Sequence, residues 1–330
     1  MRKIFAWAVT LIFLIIIFYK INLHELLSVF NNFNLKNTVL IVPLYIFTLY
    51  LRGIRWKALL LDDPKYSSLH LSEVFTAGSM LNIFLPARAG DVYRAYYLGT
   101  VKCEKKMKIF GSVILERILD GICIFLILLT AVLCYFKQQW IINLGCGTGI
   151  LFIGSLFIFY LIFKFNKTDL ICEKLTEITE KIPIQGAKYL AAGVKKTCGY
   201  IKSFMEGFKV LDNIKCLKAA FLLSIVIWWI ESYVAYLIVA GFNLGIGFAA
   251  GLFVISLTSF STMLPSTSIF LGPYQYAYIL ALGIFNIPKS AALAVSVVHQ
   301  AILTIILTIL GLFCFMKFNI TSKDLNSLRD

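Results

Sequence analysis

Two arginines follow a break in an apolar stretch of the chain. The stretch covers residues 82–94 and reads Asn-Ile-Phe-Leu-Pro-Ala-Arg-Ala-Gly-Asp-Val-Tyr-Arg. Pro86 should end the preceding helix, because proline lacks a backbone donor and restricts the residue before it, and Gly90 permits a turn. Asp91 is then a suitable N-cap for a second helix, whose free N–H groups, with Arg88 and Arg94, would suit a phosphate. The alternative is an ordinary cytoplasmic loop whose arginines extend to lipid headgroups.

A second charged cluster, Glu116, Arg117 and Asp120, lies inside the apolar stretch 109–136. A charge inside a membrane costs roughly 2.5–3.5 kcal/mol on insertion scales, so three of them need a reason. Spacings of three and four residues place them near one helix face, which we expect to face a bundle interior. They form either a structural ion-pair network or a polar path for a substrate, and Arg117 has two candidate partners, Asp91 and Asp120.

Further polar residues accompany a second interruption of the apolar pattern, near residues 264–275. A helix break with hydroxyls and a glycine can line a polar cavity, but polar residues in spans more often form helix–helix contacts. The candidates are Pro265, Ser266, Gly272 and Gln275 at the break, with Glu231 and His299 in other apolar stretches. No set has the arrangement of a nucleophile with its base or of a metal cluster, so we predict no catalytic residue, metal or cofactor.

The composition indicates the environment in which these residues act. Apolar residues make up 60% of the 330 residues and charged residues 15%, against about 45–50% and 25% in soluble domains. We therefore predict an all-α polytopic membrane protein. The net charge of +14 fits lysines and arginines concentrated in cytoplasmic loops. It does not indicate nucleic-acid binding, since there is no nucleic-acid motif.

The apolar stretches predict about six full transmembrane helices and two re-entrant hairpins. The spans are residues 4–19, 39–51 (long enough only if 35–61 join it), 109–136, 141–163, 219–240 and 291–316. Basic residues place both termini in the cytoplasm, together with Arg52, Arg55 and Lys57 at the end of the second span. Residues 71–98, with basic clusters on both flanks, form the inward-opening hairpin, and residues 248–285 form the outward-opening one. Two interrupted segments in corresponding places indicate a transport site near the midplane.

The polar region at about residues 165–217 predicts an amphipathic cytoplasmic insert in an otherwise single membrane domain, residues 1–330. Ile201, Phe204, Phe208 and Leu211 recur at helical spacing. We expect two amphipathic helices that lie on the inner leaflet, with docking of a partner as the alternative.

The two N-terminal motifs together resemble those of a known family. Their residues are Asn82, Leu85-Pro86-Ala87-Arg88-Ala89-Gly90-Asp91, Arg94, Glu116, Arg117 and Asp120. They are similar to the signature of the flippase-like membrane domain, the transmembrane region of lysylphosphatidylglycerol synthases (multiple peptide resistance factors). The resemblance covers roughly residues 5–316. Asp91 replaces a more usual glutamate, and at the second break Ser268, Ile269 and Gln275 depart from the family's Pro, Gly and Glu.

The resemblance implies the translocation of an anionic or aminoacylated phospholipid, such as lysyl-phosphatidylglycerol, between the leaflets of the plasma membrane. It implies a lipid phosphate site made by Arg88, Arg94, Asn82 and Asp91. It also implies a polar path for the headgroup, made by Glu116, Arg117, Asp120, Glu231, Pro265, Ser266, Gly272, Gln275 and His299. The alternative is the membrane subunit of a phosphatidylglycerol lysyltransferase with its catalytic domain on another, soluble chain. We expect the aminoacyl-transfer domain to be absent here, because the chain ends soon after the last span.

Overall fold

The protein is helical throughout the part of the chain that the structure covers. The computed structural model describes residues 33–34, 39–85, 88–134, 138–164, 187–262 and 271–318, with single positions at 172, 174, 177 and 178. No strand occurs among these residues. The first predicted span, residues 4–19, lies outside them.

Ten α-helices and one 3₁₀ helix make up the described chain. They are α1 Ile41–Leu59, α2 Ser68–Phe84, α3 Ala89–Val101, α4 Lys106–Cys134, α5 Gln139–Lys164, α6 Ala187–Glu206, the 3₁₀ helix Lys209–Asp212, α7 Ile214–Gly241, α8 Ala249–Ser261, α9 Pro273–Gly283 and α10 Lys289–Lys317. By length and composition, α5, α7 and α10 could cross a membrane. The predicted spans at 39–51 and 109–136 correspond to α1 and α4.

Helices α2 and α3 form the first hairpin. Helix α2 ends at Phe84, and Leu85 is extended (φ −105°, ψ 140°), as expected for the residue before a proline. The N-cap of α3 is Arg88, in the left-handed region at φ 54° and ψ 41°. The prediction that Asp91 caps this helix is therefore wrong: Asp91 lies inside the first turn, and its carboxylate turns to neighbouring side chains instead.

Gly90 serves a close helix contact rather than the turn that its position in the sequence suggested. A Cβ built on Gly90 would lie 1.8 Å from the carbonyl oxygen of Gly78, and one on Gly78 would lie 2.5 Å from the Arg94 Cγ. The two helix backbones touch at this pair. The contact fixes α3 against α2 and thereby sets the direction of the side chains on its first turn.

Helices α8 and α9 form the second hairpin. Its tip, residues 263–270, lies outside the described residues, and with it lie Pro265 and Ser266. The N-cap of α9 is Gly272, whose φ of 93° is accessible to glycine at little cost. The Gly272 N–H donates to Oε1 of Gln275 at 2.8 Å. The helix boundaries thus agree with two helical hairpins, at residues 68–101 and 249–283.

Two large apolar cores, with two smaller clusters beside them, hold the described helices together. The larger joins α7 to α10, with Phe253, Tyr278 and Val295 buried in it. The other joins α1 and α2 to α4 and the insert, around Trp56 and Phe208. Along α1, α4 and α7, charged residues interrupt the apolar ones between the two cores.

The insert packs on the helix bundle. Phe208, fully buried, stacks on Phe159 of α5 with 4.7 Å between ring centroids. The ring of Phe204 lies against that of Phe110 of α4, with 6.2 Å between ring centroids. Residues Ala187–Glu206 of the insert are helical. The aromatic side chains of Phe204 and Phe208 pack on rings of α4 and α5, so this face of the insert contacts protein.

Candidate functional site

Four arginines and four carboxylates form a network between α1, α3, α4 and α7. They are Arg52, Arg55, Arg94 and Arg117 with Asp91, Glu116, Asp120 and Glu231. The partners come from positions as far apart as 179 residues. Charges taken from water need close opposite charges and further hydrogen bonds, and each member of this network has at least one such partner.

Arg94 lies at the centre of the network and is fully buried. Its Nη1 and Nη2 donate to the two oxygens of Glu116 at 3.3 and 2.7 Å. The guanidinium also lies 4.2 Å from the ring centroid of Trp56 and 4.5 Å from that of Phe75. An external anion would have to displace Glu116 to reach it, so the geometry suits Arg94 to hold α3 against α4.

Arg55 joins α1 to the same carboxylates. Its guanidinium contacts Glu116 at 3.0 Å and hydrogen-bonds Asp120, and its Nη1 donates to Ser224 of α7 at 3.1 Å. Trp228 donates to Asp120 at 2.8 Å. These five side chains of α1, α4 and α7 thus contact one another inside the bundle.

Arg52 and Arg55, which we predicted at the cytoplasmic end of the second span, are buried within the helix bundle. A count of charges along the chain assumes that an arginine after an apolar run lies at the end of a span. One sequence feature did indicate burial: the second span reached membrane length only when residues up to 61 were included, and this places both arginines within the span.

Arg117 ties the first hairpin to α4. It donates to Asp91 at 2.9 and 3.2 Å and lies 3.6 Å from Asp120. Both predicted partners of Arg117 are confirmed, and so is the shared inward face, since Glu116 and Asp120 are buried. Asn82 completes the arrangement, because its Nδ2 donates to Asp91 across the hairpin at 3.2 Å.

A fifth arginine, Arg88, lies beside this network and differs from the four arginines within it. It has no acidic partner among the described residues. Its Nη2 reaches the carbonyl and hydroxyl oxygens of Thr262, both at 3.4 Å, which is long for a hydrogen bond. Thr262 follows α8, so this contact joins the ends of the two hairpins. With Arg88, the described charges here are five positive and four negative.

Arg88 lies in the wall of a cavity of about 220 Å³. The cavity is open on one side and mixes polar and apolar walls. It is lined by Tyr45, Leu49, Arg52, Phe75, Ser79, Asn82, Arg88, Arg117, Glu231, Thr262 and Leu303. Residues of both hairpins and of α1, α4, α7 and α10 therefore meet around one space.

The remaining predicted site residues form a separate polar cluster between α9 and α10. Gln275 donates to Gln300 at 2.5 Å, and the Tyr278 hydroxyl hydrogen-bonds Nδ1 of His299. These two contacts join α9 to α10. The geometry of the cluster is that of buried helix–helix contacts.

A helical bundle with three helices long and apolar enough to cross a membrane, and with paired charges buried among its helices, is typical of a polytopic α-helical membrane protein. Comparison with known proteins agrees: residues 3–311 match the family described as the lysylphosphatidylglycerol synthase TM region. The chain belongs to this family. Two relatives are membrane proteins of Methanocaldococcus jannaschii: UPF0104 membrane protein MJ1078, 28% identical over 74% of this chain and 98% of its own, and UPF0104 membrane protein MJ1595, 24% identical over 92% and 91%. No solved structure matches significantly.

Proposed function

We propose that the protein translocates a phospholipid with an anionic group between the leaflets of the plasma membrane, and that Arg88 binds the lipid phosphate. The observation that carries the proposal is the surplus charge of Arg88 in the wall of the cavity. The other four arginines are compensated by carboxylates, whereas Arg88 faces two uncharged oxygens at 3.4 Å. An arginine fork left in this state is suited to a phosphate, which it binds through two parallel hydrogen bonds.

The start of α3 adds to the attraction for an anion. Arg88 is the N-cap, so the first N–H groups of the helix and its partial positive charge lie beside the guanidinium. Asp91 does not cancel that charge, since Arg117 and Arg94 neutralise it from 2.9 and 3.6 Å. We assign Asn82, Asp91 and Arg94 to holding this hairpin in place around the phosphate.

Translocation of a headgroup would explain why the bundle has a polar interior. A headgroup that crosses a bilayer needs polar partners throughout its path, because an unpaired charge in hydrocarbon costs several kcal/mol. Arg52, Arg117 and Glu231 provide them in the cavity wall, which also contains the apolar Leu49 and Leu303. Two hairpins in contact at their ends are suited to open in turn toward either side.

Exchange of labelled lipid between leaflets tests the proposal. The protein is reconstituted into liposomes with traces of chain-labelled fluorescent phosphatidylglycerol, and an impermeant reductant measures the label that reaches the outer leaflet. Arg88→Gln should slow exchange about tenfold or more, the worth of one charged hydrogen bond. Arg88→Lys should retain part of the rate, because it keeps the charge and loses the fork.

Lys209→Gln is the matched control. It removes one positive charge from the 3₁₀ helix, where Lys209 is exposed, and should leave exchange unchanged. Exchange by Arg88→Gln at the rate of the wild type would refute the assignment. The alternative of a membrane subunit serving a separate aminoacyl-lipid synthase stays a prediction, and exchange by the purified chain alone would argue against it.

A further inference from the structure

Glu231 is the only carboxylate among the described residues that line the cavity of Arg88. It lies on α7, in the same cavity wall as Arg88, and its side chain is 13% exposed. Asp91, Glu116 and Asp120 each pair with two or three arginines, whereas Glu231 pairs with one arginine, Arg52, among the residues that the structure describes. Arg52 is itself shared, since it also lies 3.9 Å from Asp120.

A carboxylate with one partner has capacity left. Two oxygens offer about four acceptor positions, and the described contacts of Glu231 use one of them, Oε1 with Nη2 of Arg52 at 2.5 Å. The remaining acceptor positions of the Glu231 carboxylate lie in the cavity wall. A ligand that enters the cavity must donate hydrogen bonds to them, because a partly buried charge without enough hydrogen bonds is costly.

We propose that Glu231 determines which headgroups the cavity accepts: phosphodiesters whose headgroup carries an N–H or O–H donor, and not those that end in a quaternary ammonium. The inference deepens the proposed function and rests on it. Arg88 binds the phosphate, while Glu231 accepts the donor within the same cavity. A trimethylammonium group has positive charge but no hydrogen to donate, so it displaces water from the carboxylate without replacing its hydrogen bonds.

The accepted lipids share a hydrogen-bond donor in the headgroup, which either an ammonium or a hydroxyl group can supply. Three chain-labelled lipids therefore serve as probes: phosphatidylethanolamine, phosphatidylglycerol and phosphatidylcholine. The first two separate the ammonium from the hydroxyl, and the third has neither. Wild-type protein should exchange the donor-bearing lipids about tenfold faster than phosphatidylcholine, from one hydrogen bond to a charged acceptor.

Glu231→Gln should reduce that preference to about twofold or less. Glutamine keeps an oxygen for Arg52, so the helix contact survives, but the charge that strengthens the bond to the donor is gone. Glu73→Gln is the matched control, because Glu73 pairs with Lys317 away from the cavity and the variant should keep the wild-type preference. An unaltered preference in Glu231→Gln, or no preference in the wild type, would overturn the inference and leave translocation itself standing.

Binding gives a readout that does not depend on translocation. Native mass spectrometry of the purified protein, titrated with the same three lipids, should rank them as the exchange assay does. If no lipid is exchanged by the wild type, the proposed function fails, and the ranking by mass spectrometry still decides the role of Glu231. Should Glu231→Gln fail to fold, Glu231→Asp withdraws the carboxylate by one methylene and should weaken the same ranking, whereas an undiminished ranking would count against the inference.

Discussion

Replacing Gly90 with alanine should destabilise the protein through a single steric contact. The added Cβ would lie 1.8 Å from the Gly78 carbonyl oxygen and 2.8 Å from Oδ1 of Asn82. The first of these atoms belongs to the backbone of α2 and cannot rotate away. The two helices must therefore separate by more than an ångström, which loosens their contact along the hairpin.

The size of the effect follows from two opposing terms. Overpacking of this kind costs about 1–3 kcal/mol, and the upper end applies here because backbone meets backbone. Alanine in a helix gains about 0.8–1.0 kcal/mol over glycine. The expected net loss is about 2 kcal/mol. Gly154→Ala in α5 isolates the second term, because nothing lies within 4 Å of a Cβ at that position.

Thermal unfolding in detergent, followed by tryptophan fluorescence, measures both variants. Gly90→Ala should lower the midpoint temperature by several degrees, and Gly154→Ala should leave it unchanged or raise it. Equal midpoints for Gly90→Ala and the wild type would refute the close contact between α2 and α3. A comparable loss in Gly154→Ala would show that any alanine in a helix disturbs this protein.

Three further predictions concern other contacts. Glu116→Gln should lower the free energy of unfolding by about 3–5 kcal/mol, because it leaves buried arginines uncompensated, and unaltered denaturant stability would contradict this. Phe208→Ala should lower it by about 3–5 kcal/mol through the cavity left under the insert, a loss that a Leu variant should partly restore. Partial burial of Glu104 favours its neutral form, but hydrogen bonds from Lys65 and Lys108 outweigh burial and lower its pKa from the usual 4.5. The stabilisation is present above pH 4.5 and is lost as the pH falls through the lowered pKa, so the midpoint temperatures of wild type and Glu104→Gln should differ at pH 7 and converge in acid.

The helices were largely predictable because their signals are local. Pro86 and the apolar periodicity marked the break between α2 and α3, and the basic residues around residues 102–108 marked the start of α4. A residue's place in a helix depends on neighbours within about four positions, which the sequence lists in order. The shared face of Glu116, Arg117 and Asp120 was predictable for the same reason.

Roles within the site were less predictable, since they depend on partners far along the chain. Arg88 and Arg94 are equivalent in sequence, both in an apolar stretch and six residues apart. Packing separates them: Arg94 is enclosed by Glu116, Trp56 and Phe75, while Arg88 is left facing a cavity. Nothing within one turn of either arginine encodes this difference.

The sequence by itself therefore determined the membrane-protein class, the helix breaks and the shared inward face of Glu116, Arg117 and Asp120. Tertiary structure decided which of those charges neutralise one another. It brought Arg52 to Glu231 and Arg55 to Asp120, across 179 and 65 positions of the chain. Buried charges are stable only in pairs, and pairing is a property of distance in space. The same packing left Arg88 as the surplus cation and placed it on the wall of a cavity.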